Sequence, residues 1–149
     1  MSTIRMSGRR RFLATTLGAW AIAPVTSASA QTATTGGGSL TKEQRDRMTP
    51  GEVLDALRQG NERFRAGKMA SRDYRDQQKS SAAGQFPSAV VLGCIDSRAP
   101  AEIVFDAGIG DTFNARIAGN VVNDDLLGSL EFACSVAGAK VLLLFGHTA

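Results

Sequence analysis

The chain has 149 residues, enough for one modest domain. Its formal charge of +3 is unevenly spread, because residues 1–30 hold four of the 17 Lys and Arg and none of the 14 Asp and Glu. Thirteen basic against fourteen acidic residues remain in the body of the chain, which is therefore near −1 and has no basic stripe for nucleic acid.

In chain order, the first element reads as an address. Arg9-Arg10-Arg11-Phe12-Leu13 has the twin-arginine form R-R-x-F-L, ahead of a mildly apolar stretch over 14–25 that is too short to span a bilayer. Ala28-Ser29-Ala30 supplies a small-x-small cleavage site. Residues 1–30 are thus expected to be a twin-arginine signal peptide, with a periplasmic product free of the membrane once the signal is removed. Residues 31–48, led by the Thr/Gly run Gln31 to Leu40, read as a disordered linker.

The expected domain occupies 49–149. Thr49-Pro50-Gly51-Glu52 opens a helix: Thr49 as N-cap, Pro50 at the first position, Glu52 at the third. Val53, Leu54, Leu57 and Phe64 follow at helical spacing, and the helix is expected to end near Gly67. Residues 68–84 are a polar, basic arm. Ala89 to Gly93 is an apolar run with no polar alternation, as in a strand covered on both faces. A short helix over Pro100 to Phe105, a strand over Thr112 to Ile117, a helix over Asp124 to Ala137 and a strand over Val141 to Phe145 complete the alternation. Strands separated by helices predict an α/β fold, a parallel sheet with crossover helices and an N-terminal helical arm.

Ligands of such sheets gather at the carboxyl ends of the strands. There the sequence places Cys94-Ile95-Asp96-Ser97-Arg98 after the first strand and Gly146-His147 after the third. Either residue alone has a bland reading: Cys94 as a core thiol, His147 as a loop histidine. A thiolate and an imidazole presented together suit zinc. Asp96 is either a third ligand or the acceptor that orients a zinc-bound hydroxide. An ion pair with Arg98, two residues on, would compete with the metal for that carboxylate. Cys134, the other cysteine, reads as a small buried apolar residue of a helix.

Other chemistries fit less well. Cys94 and Arg98 are four positions apart, too close for the phosphate cradle of a thiol phosphatase. Gly108-Ile109-Gly110 lacks the third glycine of a dinucleotide turn and precedes a strand. There is no Cys-x-x-Cys for thioredoxin-like redox work.

Cys-x-Asp-x-Arg after a buried strand, followed some fifty residues later by strand-Gly-His, resembles the β-class carbonic anhydrases. Gly60-Asn61-Glu62-Arg63-Phe64 resembles that family's N-terminal helix. Asp111-Thr112-Phe113 through Ile117-Ala118-Gly119-Asn120-Val121-Val122 resembles its second strand and following turn, and Leu127-Gly128-Ser129-Leu130-Glu131 its next helix. The resemblance implies a zinc-dependent lyase that interconverts carbon dioxide and bicarbonate, as a homodimer or higher homo-oligomer. It places Cys94 and His147 on two of three constant zinc ligands. Asp96 falls on the aspartate that pairs with an arginine, here Arg98, or closes the site as fourth ligand. Gln85 falls where many members place a glutamine that hydrogen-bonds the substrate, although the turn Gly84 to Pro87 has a structural reading too.

The family pattern is Gly-His-x-x-Cys, and Gly146-His147-Thr148-Ala149 stops one residue before that cysteine. The expectation is an N-terminal portion of a longer enzyme. The alternative is a catalytically inactive truncated module that acts only through dimer or partner contacts.

Overall fold

The computed structural model describes residues 39–148; the expected signal peptide and residues 31–38 of the expected linker lie outside them. Three helices precede the sheet: α1 (Lys42–Arg47), α2 (Pro50–Arg65) and α3 (Tyr74–Ser80). Strand β1 (Ala89–Gly93), helix α4 (Ala101–Val104) and strand β2 (Thr112–Arg116) follow. A 3₁₀ turn (Ala118–Asn120), helix α5 (Asp124–Glu131), its π-helical continuation (Phe132–Val136) and strand β3 (Val141–Phe145) complete the order. No helix among the described residues is long and apolar enough to cross a membrane.

Helix α1 corrects the expected linker over its described part. Thr41 Oγ1 accepts from the Gln44 amide at 3.2 Å while Gln44 Oε1 accepts from the Thr41 amide at 2.8 Å, a reciprocal capping box. Buried Arg45 then anchors the helix by donating to the Ala137 carbonyl. Helix α2 starts as expected, with Thr49 and Glu52 exchanging the same pair of bonds at 3.2 and 2.8 Å. It ends at Ala66, before Gly67 in the left-handed region.

The face of α2 around Gly60 explains the segment Gly60 to Phe64. A Cβ on Gly60 would collide with the Phe105 carbonyl, so only glycine lets the helix lie against the turn after α4. Asn61 Nδ2 donates to the Val104 carbonyl at 3.0 Å, and Arg63 pairs with the buried Asp106, which Arg72 also grips. Phe64, expected on the apolar face, is left 37% exposed.

The sheet is parallel, in the order β2-β1-β3, with Val90 opposite Phe113 and Leu142. All five residues of central β1 are buried. On one face Val90 and Leu92 pack on Leu130 and Ala133, with Phe113 and Ala115 alongside. On the other, Val53 and Leu57 of α2 cover Ala89, with Phe105, Val141 and Leu143 around them. Burying each such aliphatic side chain contributes roughly 1.5–3 kcal/mol. Because the chain runs from β1 outward to either side, the order reverses at β1. The carboxyl end of β1 is therefore the crevice where an open α/β sheet offers a site.

Candidate metal centre

Cys94 is the first residue past β1 and His147 the second past β3, at the same edge of the sheet. The last paired residues of those strands are Gly93 and Phe145, which face each other in register. The two side chains are neighbours: the His147 ring is the largest influence on the Cys94 thiol, and the thiol the largest on the ring. That influence, followed by the amide N–H groups of Gly119 and Asp96, pulls the thiol pKa down to about 7. His147 is pushed up in turn, first by Cys94 and then by its contact with the Thr148 carbonyl. His147 Nδ1 lies 3.3 Å from that carbonyl, the kind of contact that orients an imidazole ligand.

Asp96 is held by Arg98. Nε donates to Oδ1 at 3.0 Å and Nη2 to Oδ2 at 2.7 Å, and the Arg98 amide adds a bond to Oδ1 at 2.9 Å. This grip keeps the carboxyl well below the usual carboxylate range and raises the guanidinium pKa further. Asp96 also faces the imidazole, with 3.7 Å between Oδ2 and His147 Nε2. Its side chain is 18% exposed against 74% for Arg98, so the carboxylate lines the crevice and the guanidinium caps it from outside.

Two residues of this edge went unrecognised in the sequence. Arg116, the last residue of β2, donates from Nε to the Cys94 carbonyl at 2.8 Å and from Nη2 to the Asp96 carbonyl at 2.5 Å. Asn120 Nδ2 donates to the Phe145 carbonyl at 2.9 Å. A cue for Arg116 existed: strands of equal length put it beside Gly93, next to Cys94.

A family model described as carbonic anhydrase matches residues 89–149. Over 99 residues the chain is 46% identical to carbonic anhydrase 2 of Mycobacterium tuberculosis, covering 66% of this chain and 48% of that one. It is 43% identical, with the same coverage, to a carbonic anhydrase of Mycolicibacterium smegmatis. From β1 onward the chain is thus similar to the carbonic anhydrases. It spans about half the length of the curated relatives it matches. A crystal structure of a β-carbonic anhydrase from Aspergillus fumigatus superposes with a TM-score of 0.46 at 25% identity, covering 66% of this chain and 45% of the other.

The donor chemistry fits zinc: one sulfur whose pKa of about 7 favours the thiolate and one imidazole, brought together at a solvent-open edge. Asp96 does not join them as a free third donor, because Arg98 occupies both carboxylate oxygens. Among the described residues no group of three or more His, Cys, Asp or Glu side chains is gathered to hold a metal ion.

Gln85 is not brought to this edge. It is exposed and precedes β1, whereas Cys94 follows it, so the strand separates them. At about 3.3 Å per residue the five residues of β1 alone place them some 15 Å or more apart. The nine-residue separation across β1 thus puts Gln85 and Cys94 at opposite ends of the sheet within one chain.

Proposed function

We propose that this chain carries part of a zinc-dependent carbonic anhydrase that reversibly hydrates carbon dioxide to bicarbonate. The observation that carries the reading is the register that ends β1 and β3 together at Gly93 and Phe145 and so delivers Cys94 and His147 to one edge at the switch point of the sheet, with Asp96 locked at that edge by Arg98. Zinc bound there would lower the pKa of a coordinated water to about 7 and so supply a nucleophile near neutral pH. Cys94 supplies a thiolate and His147 a ring nitrogen. Asp96, kept ionised and turned to Arg98, stays off the metal and remains an acceptor that orients the attacking group. Gln85 reaches a site of this kind only on a second copy of the chain, which fits a homodimer or higher homo-oligomer. The leader-like segment over 1–30 supports export by the twin-arginine route to the periplasm.

The test is zinc content after mild purification, together with carbon dioxide hydration followed by a pH indicator. Near-stoichiometric zinc that is lost in Cys94→Ser supports the ligand roles. Full metal occupancy in Cys94→Ser would overturn them.

A second reading, an inactive module that works only through contacts, is favoured by a specific observation. Two donors rather than three are gathered among the described residues, while Leu142, Leu144, Val136 and Phe132 are 44–72% exposed. Absence of bound zinc together with concentration-dependent dimerisation would favour it.

A further inference from the structure

Strand β2 supplies none of the candidate ligands, yet its exit touches both limbs that do. The Ile117 amide donates to the Gly93 carbonyl at 3.0 Å. Arg116 bridges the carbonyls of Cys94 and Asp96. Three residues after Ile117, Asn120 reaches across to the Phe145 carbonyl, two residues before His147. The register between β1 and β3 ends at Gly93 and Phe145. Past that pair the sheet no longer sets the distance between the two limbs. All the acceptors are main-chain oxygens, so the thiol and the imidazole are left free to face one another.

We infer that Arg116 and Asn120 are positioning residues that fix the span between Cys94 and His147. Arg116 holds the cysteine limb and Asn120 the histidine limb, and the short turn Ala118–Asn120 sets the distance between the two grips. The inference rests on the reading of Cys94 and His147 as metal donors. The residue types suit the task. A planar guanidinium donates to two carbonyls at once, which an ammonium on a flexible stem does not reproduce. Gly119 and Asn120 both have positive φ, 64° and 58°, a region where asparagine is tolerated better than most side chains. That preference offers a competing reason for Asn120, purely of the backbone, and a glycine variant separates the two. Asn120→Gly keeps the left-handed conformation and removes only the amide that reaches Phe145.

The experiment uses the metal-free chain and cobalt(II) alone as probe, titrated by the thiolate-to-cobalt absorption band, with thermal unfolding followed in parallel by circular dichroism. The wild-type chain should give the band and Cys94→Ser should not. Asn120→Gly and Arg116→Lys should each unfold at near wild-type temperature, weaken cobalt binding about 10- to 100-fold and alter the band. Unchanged affinity and band shape in both variants, with the wild-type band present, would overturn the positioning roles alone. A wild-type chain without the band, or a Cys94→Ser variant that keeps it, would overturn the metal reading and the inference with it.

Discussion

Arg98 grips Asp96 through two side-chain bonds of 3.0 and 2.7 Å while the imidazole of His147 stands 3.7 Å from the same carboxylate. The carboxylate thus has two competing neighbours, and the guanidinium wins because it binds bidentately. Arg98→Ala should free Asp96 to turn toward the Cys94–His147 pair. Under the proposed function, the hydration activity of the zinc-loaded protein is expected to fall about 10- to 100-fold with metal retained. Zinc analysis alongside stopped-flow hydration checks this, and unchanged activity would rule out the gating role of the pair.

The proximity of thiol and imidazole predicts a pH dependence in the metal-free chain. With its pKa near 7, Cys94 should alkylate faster as pH rises from 6 to 8 and level off above that. His147→Ala removes the largest cause of the depression, so the rise should move toward the ordinary thiol value of about 8.5. Alkylation at pH 7 should then slow by about tenfold. Peptide mass spectrometry reads Cys94 separately from the free Cys134. A Cys94 profile indifferent to His147→Ala would contradict that proximity.

Much of this edge was readable in the sequence because apolar runs and caps are local. Ala89 to Gly93 could be buried on both faces only as a central strand, and the Thr49/Glu52 pair announces α2 by its spacing alone. The capping box Thr41/Gln44 is the same signal on a six-residue helix with no apolar stripe, which made α1 look like linker. Strand order is non-local, so nothing in the sequence set β1 between β2 and β3. Without that order the grip of Arg116 on Cys94 and the remoteness of Gln85 were both hidden. Asn120 lies within the segment that resembles the family's turn after its second strand, but its partner is a carbonyl 25 residues away, which no periodicity reports.

The buried Asp106 predicts acid sensitivity. Burial alone would raise its carboxyl, but bonds from Arg63, the Ala70 amide and Arg72 outweigh that and leave it below the ordinary value. A depressed folded pKa means stabilisation present above the unfolded value of about 3.9 and lost as pH falls through the folded one. Asp106→Asn should cost about 3 kcal/mol at pH 7, since it leaves two guanidiniums facing a neutral group. Its penalty should shrink below pH 3. Urea unfolding at pH 7 and pH 3 compares the two; a deficit equal at both values would show that charge is not the cause.

Gly60 separates local preference from packing most sharply. In an exposed helix, glycine to alanine stabilises by about 1 kcal/mol. At this position the new methyl would meet the Phe105 carbonyl, which is main chain and anchored by the α4 turn. Pushing α2 away would also stretch the Asn61 bond to Val104 and the Arg63 pair with Asp106. Overpacking of this kind typically costs about 1–3 kcal/mol, so Gly60→Ala is expected to destabilise in spite of propensity. Chemical denaturation of the variant decides between the two by sign. A stabilised protein would mean that α2 does not lie against the turn at Phe105.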